Sequence, residues 1–262
     1  MGVICVFVNQ KGGVGKTTSA INIGAFLAEA GKAVLLVDFD AQGNLTSGIG
    51  AKPPKPGIYE LLSGTAEADQ ATRKTAVPNL DVIPATIDLS GAAVELIDQK
   101  ERNFFLKKAL SPLREQYDYI LIDCPPSLGQ LTMNGLAAAD SVLIPMQCEY
   151  FAMEGLKQLL KTTREIQKGL NPSLKIGGIF FTMYDPRTRL ANDVIKLISA
   201  DYKDKVLNTI IPRNIRLSEA PSYEMPISLY DPQCPGARAY HALSQELLRR
   251  NLNNSGGGSN GA

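Results

Sequence analysis

Six apolar residues in a row, Val3-Ile4-Cys5-Val6-Phe7-Val8, run almost directly into Gln10-Lys11-Gly12-Gly13-Val14-Gly15-Lys16-Thr17-Thr18. No other stretch constrains the fold as much. A β-branched run without alternation predicts a strand buried on both faces, which is how strands of parallel sheets read. After the glycines, residues 18–30 carry Ala20, Ile21, Ile23, Ala25, Phe26, Leu27 and Ala28 and predict a helix, with Gly31 placed to end it. A second buried run follows at 33–37. Strand, helix and strand in immediate succession make a βαβ unit, whose crossover is right-handed.

The pattern recurs. Strands are predicted at 119–122, 141–145, 175–182 and 206–211, with a shorter one at 80–84, and helices at 151–168, 188–201 and 235–251. Pro53, Pro54 and Pro56 make 51–57 a loop of restricted backbone. No linker or repeat divides the chain, so the expectation is one α/β domain over 1–252 with a mostly parallel, twisted sheet and helices on both faces. The Asn, Ser, Gly and Ala tail at 253–262 is expected to be disordered.

Composition excludes several classes. Lys+Arg 27 against Asp+Glu 26 leaves net +1, so no global basic excess advertises nucleic acid. The longest apolar runs are strand-sized, far below the ~20 residues of a membrane helix. The first residues show no leader pattern. Cys5, Cys124, Cys148 and Cys234 stand far apart without a CxxC pair, against a zinc site or a disulfide framework. The expected setting is soluble, reduced and cytosolic.

The loop at 10–18 has the chemistry of a nucleotide phosphate site. Gly12, Gly13 and Gly15 let N–H groups converge on phosphate oxygens, and the helix that follows adds its positive end. Lys16 is placed to reach the β- and γ-phosphates, and the Thr17 hydroxyl to bind Mg²⁺. The usual P-loop pattern needs a glycine where Gln10 stands, so it fails by one residue. The third glycine of a dinucleotide fingerprint is also missing, with Lys16-Thr17-Thr18 in its place.

Two acidic sites accompany the loop. Asp38 and Asp40 alternate at the end of the second strand, over the crevice where parallel sheets bind ligands. Asp38 is open to two readings, a place beside Mg²⁺ and its waters or a turn cap. Asp118-Tyr119-Ile120-Leu121-Ile122-Asp123 has the Walker B form, in which an apolar strand delivers Asp123 to a metal directly or through water.

With these residues quoted, the chain resembles the ParA/MinD class of P-loop ATPases. Lys-Gly-Gly-Val-Gly-Lys-Thr-Thr over 11–18 is their deviant phosphate loop, and Val14 and Thr18 belong to it. The resemblance implies a P-loop NTPase fold with ATP and Mg²⁺ as cofactors and Asp40 as the water-positioning aspartate. It implies that Lys11 crosses to the partner's nucleotide in an ATP-sandwiched homodimer; on its own, Lys11 fits a solvated loop equally well. The stretches 182–189 and 206–222, with Pro84-Ala85-Thr86, are similar to the ParA/Soj chromosome-partitioning branch, where the Pro212-Arg213 pair borders the adenine. That branch implies a nucleoid-associated ATPase, slow alone, that is stimulated by a ParB-type centromere-binding partner. The alternative is a MinD-like or cargo-positioning ATPase on a membrane or protein scaffold. Residues 235–251 make an ordinary core-facing stripe rather than a basic membrane helix, which speaks against a membrane partner. Because the chain starts at its first strand, operator repression by an N-terminal helix-turn-helix is not expected.

Charge is unevenly spread. Between Lys161 and Arg216 eleven basic residues face five acidic ones, a local +6 on a chain of net +1. That is the footprint of a solvated helical face or of non-specific contact with duplex DNA. With the resemblance, Arg187, Arg189, Lys196 and Arg216 become the expected DNA contacts.

Overall fold

The strand expected in the run 3–8 forms over Val3–Phe7 and lies inside the sheet, with a neighbour on each side. In the computed structural model, which describes residues 1–95 and 98–250, one sheet of seven strands runs in the order β3-β4-β2-β5-β1-β6-β7. The strands are β1 (Val3–Phe7), β2 (Val34–Asp38), β3 (Arg73–Lys74), β4 (Leu80–Ile83), β5 (Tyr119–Asp123), β6 (Ser141–Gln147) and β7 (Lys175–Thr182). All neighbours are parallel except β3 and β4. Alternate residues of the first run feed opposite cores: Ile4, Val6 and Val8 pack on one face, Val3, Cys5 and Phe7 on the other. This double burial is why the run carries no polar alternation.

Seven helices frame the site: α1 (Lys16–Glu29), α2 (Asn44–Gly48), α3 (Gln130–Ala138), α4 (Ala152–Lys168), α5 (Arg189–Asp201), α6 (Ile215–Glu219) and α7 (Pro235–Arg249). Helix α1 is buried nearly all round. Its Gly24 is needed for close approach, because a Cβ there would lie 2.7 Å from Leu36 Cδ2 on the sheet. Helix α7 covers α1 from outside, and Ser19 and Tyr240 share a buried 2.9 Å hydrogen bond between them. His241 lies edge-on to Phe26 and serves packing. Cys124 fits against Gly135 of α3, so its burial is steric and needs no ligand.

Three expectations change. Helix α1 starts at Lys16 rather than 18, because Gly15 adopts φ 85° and turns the chain straight into the first helical turn. Residues 206–211 lie along the β7 edge without becoming a strand; only isolated bridges join Ile179 to Val206 and Tyr184 to Pro212. The reason is Glu246 of α7, whose carboxylate takes the N–H groups of Asn208 and Thr209 at 2.8 and 2.9 Å. Strand β3 had no signal in the sequence. Arg73 there donates to the carbonyls of Pro53 and Pro56 and ties down the proline loop. The tail 253–262 lies outside the described residues.

Candidate nucleotide site

The strand order reverses around β1, whose neighbours are β5 on one side and β6 on the other, and at such a switch point a crevice opens above the carboxyl ends. The glycine loop leaves β1 there. Gly13 and Gly15 hold φ values of 72° and 85°, a backbone that residues with a Cβ rarely adopt. Side chains from the next strands pin the loop: Thr182 Oγ1 donates to Val14 O at 2.8 Å and Gln147 Nε2 to Gly13 O at 2.9 Å. Asn9 accepts from the Lys11 N–H and donates to Pro145 O. The result is a preformed cradle, opening into a cleft of about 600 Å³ that Gly12, Gly13, Lys16, Thr17, Thr18 and Asp40 help to line.

Lys16 is 7% exposed, and its Nζ donates to the carbonyls of Asn9 and Lys11 at 3.2 Å each. Burial lowers its pKa, opposed by the Asp123 carboxylate. Thr17 Oγ1 donates to Asp123 Oδ2 at 2.6 Å, while Asp123 Oδ1 is buried without a partner. Burial first, and the adjacent Asp38 carboxylate second, push Asp123 up to about 8. Strand register places Asp38 directly beside Asp123. An orphaned carboxylate oxygen next to a threonine hydroxyl, on an aspartate paired in the sheet with a second buried carboxylate, fits a divalent cation. Among the described residues no cluster of three or more His, Cys, Asp or Glu is arranged to hold a metal, so Thr17 and Asp123 would complete such a site with phosphate oxygens.

Asp40 lines the cleft and accepts the Gln42 N–H on Oδ1 at 3.0 Å. Asp38 is fully buried, and three donors occupy its oxygens: the N–H and hydroxyl of Thr46 on Oδ2 and the Asp40 N–H on Oδ1. Burial raises Asp38 to about 6 against those bonds. Its oxygens cap the turn at Asp40 and the start of α2, and the carboxylate lies beside Asp123 in the sheet register.

A second cavity, about 400 Å³, adjoins the first through Gly15, Thr18 and Met183 and is walled by Ile211, Pro212, Arg213 and Leu217. Its largely apolar walls suit a nucleobase. Lys11 sits outside both, exposed, with its ammonium paired to Glu149. Of the expected DNA contacts, Arg187 forks onto Asp185 and Arg216 pairs with Glu219 and Asp231. Arg189 is 96% exposed with only a 3.8 Å approach to Asp193, and Lys196 is exposed on the same helix.

Sequence reasoning did not find Thr46, Gln147, Glu149 or Glu246. Gln147, Glu149 and Glu246 lie 134, 138 and 38 positions from the groups they serve, and Thr46, eight positions from Asp38, meets it only because the chain turns back after β2. The closest thing to a signal was the polar Gln147-Cys148-Glu149 at the carboxyl end of a buried strand.

The comparisons with known proteins agree with this geometry. The family model described as "AAA domain" matches residues 1–176. A chromosome-partitioning ATPase Soj from Treponema pallidum is 61% identical over 250 residues, covering 95% of this chain and 98% of that protein. The sporulation initiation inhibitor protein Soj of Bacillus subtilis is 53% identical, covering 94% and 98%. Among solved structures, a Mycobacterium smegmatis protein described as cobyrinic acid a,c-diamide synthase, with bound ADP and magnesium, superposes with a TM-score of 0.82 at 41% identity, covering 95% of each chain. Identity of this depth over nearly the whole length, on a P-loop sheet with the deviant lysine in place, places the chain in the Soj/ParA family of chromosome-partitioning ATPases.

Proposed function

We propose that this chain hydrolyses ATP to drive DNA segregation. In this reading it closes into an ATP-sandwiched homodimer, holds double-stranded DNA without sequence preference, and releases it after hydrolysis stimulated by a ParB-type centromere-binding protein. The observation that carries the reading is the combination of a preformed phosphate cradle with an exposed lysine, Lys11, outside it. One lysine, Lys16, serves the chain's own phosphates. The other faces solvent, where a second subunit can meet it.

Lys16 neutralises the β/γ-phosphates inside the cleft, and its burial strengthens that contact. Thr17 and Asp123 hold Mg²⁺, which supplies charge neutralisation across the phosphates. Asp40 orients the attacking water from the rim of the cleft. Pro212 and Arg213 border the base in the adjoining cavity. Lys11 leaves Glu149 to reach the facing nucleotide. Arg187, Arg189, Lys196 and Arg216 supply phosphate contacts that dimerisation doubles, which makes DNA affinity depend on ATP. The chain works in the cytoplasm, on the nucleoid; no helix among the described residues is long and apolar enough to cross a membrane.

The test is binding of random duplex DNA at low salt with ATP, with ADP and without nucleotide. ATP-only binding is expected, with a steep salt dependence whose log–log slope drops by about two in Arg189→Glu, one phosphate contact per subunit. Equal binding in all three conditions would refute the ATP-gated reading.

A further inference from the structure

The Asp38 carboxylate sits at the carboxyl end of β2 but is absent from the lining of the phosphate cleft, whereas Asp40, two residues on, is part of it. Asp38 turns inward to Thr46 of α2. Thr46 is 6% exposed and its hydroxyl bridges two groups: it donates to Asp38 Oδ2 at 2.7 Å and accepts the Ala85 N–H at 2.9 Å. The Thr46 N–H adds a second bond to the same oxygen at 2.8 Å. The other oxygen, Oδ1, accepts the Asp40 N–H at 3.2 Å. One buried carboxylate therefore links the α2 N-terminal turn, the loop after β4 and the backbone of Asp40.

We infer that Thr46 and Asp38 are a positioning pair for Asp40, acting on hydrolysis through it and not through the metal. The inference rests on the proposed role of Asp40. Its physical basis is that both oxygens of Asp38 already serve buried donors. Three donors converge on a side chain without solvent contact, two on Oδ2 and one on Oδ1, and losing any of these bonds leaves a buried donor that water cannot reach. What Asp38 controls directly is the Asp40 N–H, hence the angle at which the Asp40 carboxylate enters the cleft. The turn is closed from the other side by the Gly43 N–H on Asp40 O at 2.9 Å. Gly43, at φ 62°, has Ala85 O 3.3 Å from where its Cβ would be, so the turn is wedged against the same loop that bonds Thr46. Displacing a catalytic group by about 1 Å costs up to roughly a hundredfold in rate, so a network of this kind is felt in turnover.

The test is Thr46→Val, which keeps the shape and removes the hydroxyl, alongside Thr46→Ser, which keeps it. Multiple-turnover phosphate release gives kcat, a fluorescent ATP analogue gives nucleotide affinity, and a Mg²⁺ titration gives the half-saturating concentration. Thr46→Val should lower kcat about ten- to a hundredfold while affinity and Mg²⁺ requirement stay within about twofold. Thr46→Ser should restore most of the rate. In an Asp40→Ala background Thr46→Val should add nothing, since residues acting as a unit are not additive. Asp38→Asn is the second variant should Thr46→Val be too unstable. It keeps an oxygen for Thr46 but turns an NH₂ toward the Asp40 N–H, and should lose kcat likewise. Unchanged kcat in Thr46→Val, a roughly tenfold rise in Mg²⁺ requirement, or a Thr46→Ser as slow as the valine variant would each overturn the inference. A fully active Asp40→Ala would instead overturn the proposed role of Asp40 on which it stands.

Discussion

Replacing Glu246 by glutamine tests whether a helix on the far side of α1 holds the wall of the base cavity. The Glu246 side chain is 8% exposed. It accepts the N–H groups of Asn208 and Thr209 and the Thr209 hydroxyl at 2.7–2.9 Å, and pairs with Arg250 at 3.1 Å. Glutamine cancels the charge in all of these and points an NH₂ at a buried N–H. Bonds to a charged group are worth about 1.5–3 kcal/mol each, and an unpaired buried donor costs about 1–3 kcal/mol, so a net loss of about 2–4 kcal/mol is expected. The partly exposed Arg250 pair contributes less than about 1 kcal/mol of that. For a chain of this size the loss lowers Tm by roughly 5–10 °C. Burial alone would raise a carboxyl, but the N–H groups of Asn208 and Thr209 outweigh it and hold Glu246 below the ordinary glutamate value. Its stabilisation is therefore complete above the unfolded value of about 4.3 and lost as pH falls through the lower folded value. Thermal melts of wild type and variant, read by circular dichroism with and without ADP, should differ at neutral pH and converge at the acid end. The ADP-induced rise in Tm should be smaller in the variant, because residues 211–213 follow directly on the clamped segment. A neutral-pH Tm within about 2 °C of wild type would refute the reasoning, since so small a change corresponds to under about 1 kcal/mol.

Two further substitutions probe the cradle. Lys16→Ala removes the ammonium buried over the phosphate position and should weaken ATP binding about a hundredfold or more, a loss of about 3 kcal/mol; retained affinity by isothermal titration would refute the site. Gly12→Val should leave ATP binding intact and abolish ATP-dependent dimers in light scattering. A Cβ at Gly12 meets only Pro126 Cβ, at 3.9 Å, within its own chain, so an obstructed dimer must come from a facing subunit. A normal dimer in that variant would refute the sandwich geometry.

The sequence by itself determined what depends on neighbours along the chain. The strand–loop–helix order at 3–30 was legible because burial on both faces leaves no alternation and a glycine loop followed by Lys-Thr reads as a phosphate site, while the helix start at Lys16, two residues earlier than expected, was set by the left-handed turn at Gly15. Asp123 was legible because an apolar strand ending in a carboxylate follows a phosphate loop about a hundred residues upstream, and the two together make a nucleotide–metal pair. The tertiary structure decided everything that depends on groups meeting across the fold. Residues 206–211, with Val206, Leu207, Ile210 and Ile211, have the composition of a strand, yet Glu246, about forty positions later, claims the N–H groups of Asn208 and Thr209, and tertiary hydrogen bonds override β propensity. Asp38 and Asp40 look equivalent in the sequence. They separate only because Thr46 folds back on one carboxylate and leaves the other to the cleft. Arg187, Arg189 and Arg216 likewise read as equal charges, but Asp185, Glu219 and Asp231 pair with two of them and leave Arg189 the more exposed. A carboxylate's chemistry is set by what donates to it, and donors arrive by folding.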